Sequence, residues 1–183
     1  MEFHIKVGKM KSYLKYIVSC TIIVIILCIT YFGIIKWRHE NTKPYDYVQE
    51  YYQKKNEIRE LICERKVDED SYLYFLYNNK KDRISCLVVK KGILSYKIIV
   101  EQSTGLDHVL NKEYPSVNFT AYKKNNYMPS TKWIAWNIVD KDVKTVWIEN
   151  QVANLIDLEK DSYKICYLIG NGKKRTDLIV KIE

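Results

Sequence analysis

The spacing of apolar positions changes twice along this chain, and each change predicts a different kind of element. Residues 16–35 (YIVSCTIIVIILCITYFGII) form an uncharged run of twenty with no polar stripe. A helix rises about 1.5 Å per residue, so twenty residues cover the roughly 30 Å hydrocarbon core of a bilayer. After the polar connector 36–44 (KWRHENTKP), Val48, Tyr51, Tyr52, Ile58, Leu61 and Ile62 recur at spacings of three and four. That stripe predicts an amphipathic helix over 45–66, uninterrupted by proline or glycine and docked on its own domain.

From residue 70 the period falls to two. Tyr72, Tyr74 and Leu76 alternate with Leu73, Phe75 and Tyr77, and similar runs follow at 83–89, 93–100, 117–122, 132–139, 143–149, 152–158, 163–169 and 178–182. These nine runs are rich in Tyr, Val, Ile and Thr, which fit half-buried pleated positions. Short strands separated by polar turns predict a mainly β fold, an antiparallel β-sandwich or barrel-like domain over 70–183, with an α+β arrangement as the alternative. Tyr74, Tyr96, Phe119, Ile138, Ile165 and Val180 are the expected inward-facing set. Gly170-Asn171-Gly172 supplies the positive φ of a tight turn, so the last two runs are expected to pair across it.

Charge orients the apolar run. Residues 1–15 hold Lys6, Lys9, Lys11 and Lys15 against Glu2, and aromatic residues (Tyr13, Tyr16, Tyr31, Phe32, Trp37) mark both ends of the span. Basic flanks are retained in the cytoplasm. The pattern therefore predicts a cytoplasmic tail 1–15, a transmembrane helix 16–35, a linker 36–44 and an extracytoplasmic domain 45–183, in a single-pass protein of the cell membrane. A cleaved signal peptide would carry a shorter apolar core and small residues after it; this run ends in Tyr-Phe-Gly-Ile-Ile-Lys-Trp. Ile17-Val18-Ser19-Cys20 has the form of a lipoprotein cleavage site, but the apolar stretch follows the cysteine instead of preceding it. Of the net charge of +8, residues 37–183 contribute only +4, too dilute for a nucleic-acid face.

Candidate chemistry is sparse. No zinc, nucleophile-elbow, thiol-redox or phosphate-loop motif occurs, so no catalytic residue, metal site or cofactor is expected. Cys63, Cys86 and Cys166 lie outside the span, and an odd number cannot pair completely; free buried thiols are expected, with Cys86 and Cys166 the pair if one forms. A thiol of this set beside His108 would be the one route to a nucleophilic enzyme. Asp140-Lys141-Asp142 reads as a turn and Asp68-Glu69-Asp70 as a cap at a helix-to-strand junction. Trp133 and Trp136 are three apart, which in one strand puts them on opposite faces and at least one in the core. Lys173, Lys174 and Arg175 at a hairpin tip are the candidate contact for an anionic polymer or lipid headgroup.

The segments KKGILSYK (90–97) and AWNIVDKDVKTV (135–146) resemble those of small membrane-anchored exported proteins of low-GC Gram-positive bacteria, in keeping with a composition dominated by Ile, Lys, Asn and Tyr. The resemblance covers about half of the outer domain and implies an envelope location, with no functional residue. The sequence thus predicts a membrane-anchored extracytoplasmic binding or interaction module whose partner is an envelope protein or anionic polymer. The alternatives are an accessory or immunity-type protein acting through its transmembrane helix, and a hydrolase with a dispersed active site.

Overall fold

A computed structural model describes residues 2–110, 116–123, 131–158, 162–172 and 178–183. Helix α1 runs Glu2–Asn41 without a break, so both the expected tail and most of the expected linker are helical. Its segment Lys15–Asn41 is long and apolar enough to cross a membrane. Ile17, Ile22, Ile26, Leu27 and Phe32 are all more than half exposed and lie on every side of the helix, a surface suited to lipid and not to water. The hydroxyls of Thr21 and Thr30 donate to the carbonyls of Ile17 (2.9 Å) and Ile26 (2.7 Å). Both hydroxyls are thereby satisfied within the helix, as a hydrocarbon surrounding would require.

By backbone proximity the chain forms two compact units, one of residues 1–43 with Ile93–Ser95, the other of residues 44–92 and 96–183. The second unit is mainly β. It opens with α2 (Pro44–Gln53), followed by β1 (Glu60–Lys66), β2 (Ser71–Tyr77), β3 (Arg83–Lys91), β4 (Tyr96–Gly105), β5 (Val109–Leu110) and β6 (Asn118–Lys123). Then come β7 (Thr131–Asp140), β8 (Val146–Ile148), β9 (Gln151–Val152), β10 (Asn154–Asp157), β11 (Tyr163–Asn171) and β12 (Val180–Ile182). All nine period-two runs are strands, with 152–158 divided between β9 and β10.

The strands build three sheets. The first has the order β1-β2-β3-β4, the second β10-β11-β7-β5 with β6 also on β7, and the third β12-β8-β9. Pairing is antiparallel except between β5 and β7. Leu73, Phe75, Ile84, Cys86 and Val88 of the first sheet pack on Ile134, Trp136, Ile138 and Ile165 of the second. Trp133, Ala135, Val139 and Cys166 on the reverse of the second sheet pack on Val146 and Ile148 of the third. Tyr74, Leu76, Leu87, Val89 and Tyr96 on the reverse of the first sheet take α2 through Val48 and Tyr52. The result is a layered order of helix and three sheets, in which both central sheets are buried on two faces. That explains why β2 and β3 read as nearly continuous apolar runs. Of the expected core, Tyr74, Tyr96, Ile138 and Ile165 are buried, but the first two face α2; Phe119 and Val180 are half-buried.

Three local expectations are corrected. The amphipathic helix stops at Gln53, and residues 60–66 of the expected 45–66 helix are strand β1. Asn56 takes φ 56°, its amide donates to the Gln53 carbonyl (3.0 Å), and the Glu57 amide reaches back to Tyr52 (2.9 Å). This is a Schellman cap with asparagine in the left-handed position usually held by glycine. Ile58 and Leu61, counted in the helical stripe, are exposed. Second, β11 and β12 do not pair: β10 and β7 already occupy both edges of β11, and β12 joins β8. The tight hairpin is instead β8–β9, where Glu149 and Asn150 both have positive φ. Third, Asp68-Glu69-Asp70 turns the β1–β2 hairpin, the Asp70 amide donating to Asp68 Oδ1 (3.0 Å); with no helix ahead of it, it caps none.

Candidate interaction sites

Two polar constellations lie on the β unit. The first follows from the amphipathic face of α2. Tyr51 and Tyr52 project toward β4, and their hydroxyls both donate to the Glu101 carboxylate at 2.9 Å. Lys55 Nζ stands 3.6 Å from the same carboxylate and 4.1 Å from the Tyr51 ring centre. Beyond the cap, Arg59 lies over the Tyr52 ring (4.7 Å) and pairs with Glu57. Its guanidinium also donates to Ser85 Oγ (3.1 Å), which is 2.8 Å from Ser103 Oγ.

Burial alone would raise the Glu101 carboxyl, but the two tyrosine hydroxyls and the Lys55 ammonium outweigh it and hold the group below its ordinary value. Burial first, then the hydrogen bond to Glu101 and its charge, push the Tyr52 phenol up. The arrangement is a carboxylate clamped by donors, which fastens α2 to the first sheet. Its proton donors are already engaged, so it is a structural latch and not an acid–base pair awaiting substrate.

The second constellation is an open cleft of about 540 Å³ lined by Thr104, Asp107, His108, Val109, Ser116 and Asn137, among others. At Gly105, beside the cleft, a Cβ would stand 2.1 Å from Asp107 Oδ1, the end of an exposed side chain free to swing aside. The His108 amide closes the turn on the Gly105 carbonyl (3.2 Å). Asn137 forms the floor, donating to the Ser116 carbonyl and accepting from the Ile138 amide, both at 2.8 Å. His108 Nε2 is 3.8 Å from Asp107 Oδ2, and both side chains are mostly exposed.

No thiol lines this cleft, so the pairing of a cysteine with His108, the one route to a nucleophile in the sequence, is not formed. Cys63, Cys86 and Cys166 are free and buried. Cys86 and Cys166 sit in different packed layers, which leaves no route to the disulfide between them. Burial pushes the Cys86 thiol up and takes Cys166 to about 12. Groups this far from thiolate are inert as nucleophiles at neutral pH.

Comparison of the chain with protein-family models, curated proteins and solved structures gives no match. The residues themselves must carry the functional reading. Among the described residues no cluster of three or more His, Cys, Asp or Glu could hold a metal. Trp133 and Trp136 are both core, on opposite faces of β7, and Trp136 Nε1 donates to Gln102 (3.2 Å). Neither offers a ring to a sugar. Asp140-Lys141-Asp142 is a turn, the Val143 amide returning to the Asp140 carbonyl. Lys173, Lys174 and Arg175 lie outside the described residues. The Tyr51–Tyr52–Glu101 latch has no local signature in the sequence. Tyr51 and Tyr52 stood in the helical stripe, but nothing local connects them to a glutamate some fifty residues away.

Proposed function

We propose that the chain is a single-pass, membrane-anchored extracytoplasmic module of the cell envelope, which binds a partner protein or an anionic polymer close to the bilayer. The observation that carries this reading is the continuity from anchor to fold. An apolar helix long enough to span leads, through Thr42 and Lys43 alone, into α2, and α2 is latched to the β unit by Glu101. A signal peptide serves export and is then discarded. Here the helix continues six residues past Ile35 and hands directly to a packed element. The lysine-rich N-terminal flank sets the direction, with the β unit outside.

Because both central sheets are covered on two faces, recognition falls to turns, edges and the outer face of the third sheet. Among the described residues, the Asp107–His108 cleft offers a concavity for a polar group of the partner.

A reporter fused after Glu183 should be active only when exported, and the chain should resist alkaline carbonate extraction. Reporter activity in the cytoplasm would refute the proposed location. Exchange of residues 16–35 for an unrelated apolar helix should preserve function. Loss of function on that exchange would favour action through the transmembrane helix instead.

A further inference from the structure

The outer face of the third sheet carries a tryptophan that packs into none of the protein's buried layers. In β8 the side chains of Val146 and Ile148 point inward, onto the reverse of the second sheet. Strand alternation turns Trp147, between them, to the opposite face. Its cross-strand neighbours are Lys181 of β12 and Val152 of β9, both exposed. β8 is the central strand of the three, so this partly exposed indole stands in the middle of the face. Its polar groups are open as well. Trp136 Nε1 donates to Gln102, whereas Trp147 Nε1 has no hydrogen-bond partner among the described residues, and Lys181 is paired with no acid among them.

Size and charge select the occupant. Strands lie about 4.8 Å apart and rise about 3.4 Å per residue, so three strands of two or three residues make a face of about 10 Å by 10 Å. That is roughly 100 Å², against about 800 Å² per partner in a stable protein interface. Neither a partner protein nor a second copy of the chain would be held by it, but one small ring covers it. An indole face attracts cations, and the Lys181 ammonium opposite Trp147 repels them. What fits is a neutral or acidic ring with an apolar face and a polar edge. A pyranose has that form, with C–H groups on one face and hydroxyls around its rim. The negative face of the indole meets the C–H groups, and the indole N–H and the Lys181 ammonium are donors for oxygens at the rim. A glycan repeats the ring many times, so a weak single contact is regained by rebinding along the polymer.

We propose that Trp147 is the platform for one pyranose ring of an envelope glycan, with Lys181 and the indole N–H donating to the oxygens at its edge. The inference rests on the reading of the chain as an extracytoplasmic binding module and names the class of polymer it takes.

The test is co-sedimentation of the full-length chain, in dodecylphosphocholine micelles that carry no sugar headgroup, with purified cell-wall glycan. The glycan is used with its acidic side polymers intact and with them removed. The expected result is binding to both preparations, with soluble β-1,4-linked N-acetylglucosamine oligomers competing. Trp147→Leu should weaken it about tenfold, Lys181→Ala several-fold, and Trp147→Phe, which keeps a ring, least of the three. Urea midpoints of all three variants separate loss of binding from loss of fold; should Trp147→Leu unfold, Lys181→Ala changes only an exposed side chain and decides the matter. Equal binding by the wild type and the variants overturns the platform and leaves the envelope-polymer reading intact. Binding confined to the acidic preparation and abolished by salt overturns ring stacking in favour of charge. Binding to neither preparation, by a chain whose reporter after Glu183 is active on export, overturns the platform and leaves the location intact. Reporter activity in the cytoplasm overturns the location, and the platform with it.

Discussion

Replacing Gly170 with alanine should destabilise the β unit, and the sign of the effect should reverse when Trp133 is removed. Gly170 lies directly opposite Trp133 in the β11–β7 ladder. A Cβ on Gly170 would stand 2.0 Å from Trp133 Cζ2 and 2.1 Å from Cε2. Carbon atoms in contact prefer about 3.5–4.0 Å, so the indole would have to retreat by well over an ångström. It has little room, being 7% exposed and packed against Phe119 at 5.9 Å between ring centres. Forced repacking of this kind costs about 1–3 kcal/mol. The Gly170 backbone is not in the left-handed region, so nothing else opposes a side chain. Glycine within a strand is otherwise about 0.5–1 kcal/mol worse than alanine. Gly170→Ala should therefore lower stability in the wild-type chain and raise it by about that smaller amount in a Trp133→Leu background. Urea unfolding of the full chain in micelles, followed by near-ultraviolet circular dichroism, reads all four variants. An equal effect of Gly170→Ala in both backgrounds would refute the ring-over-glycine account.

The Glu101 latch predicts a pH dependence. Its carboxyl is held below an unfolded value of about 4.3. The stability it contributes is thus present above that value and is lost as pH falls through the lower, folded one. Glu101→Gln should flatten the acid limb of the urea midpoint. An unchanged acid limb would show that the latch carries no proton-linked stability. At the end of α2, Asn56→Gly should be neutral or slightly stabilising and Asn56→Ala should cost about 1–2 kcal/mol, the penalty for a Cβ in the left-handed region; equal urea midpoints would discount the cap. In a chain with Cys20 and Cys28 replaced by alanine, a thiol reagent should label nothing until the unfolding transition and then all three remaining cysteines together. A single reactive thiol after unfolding would reveal a disulfide.

Period-two alternation made the β fold legible, and all nine alternating runs are strands. The alternation does not say which of two covered faces a residue takes. Tyr74 and Phe75 are both fully buried, one against α2 and one against the second sheet, and only long-range pairing decides that. The end of α2 was hidden because Asn56 performs a task usually left to glycine. Without the cap, the residues of β1 mimic a continuing helical stripe. The β11–β12 pairing failed for a topological reason: a turn signal specifies a reversal, not which edge is vacant. The latch, the cleft floor at Asn137 and the ring over Gly170 each join residues from distant strands, beyond the reach of local spacing.

The two-residue passage from α1 to α2 also has a mechanical meaning. If the chain is anchored as proposed, any pull between the membrane and the outer domain would enter the β unit at Pro44. It meets first an element seated by the side chains of Val48 and Tyr52 and by hydroxyls on one carboxylate. Such contacts can be peeled in succession, whereas the β ladders behind them share strain across many parallel bonds. If α2 were drawn out straight, its ten residues would lengthen from about 1.5 to about 3.4 Å each, releasing ~20 Å of slack. The helix would then act as an extensible tether, letting the domain yield to tension while its sheets stay folded, and reseating when the tension passes.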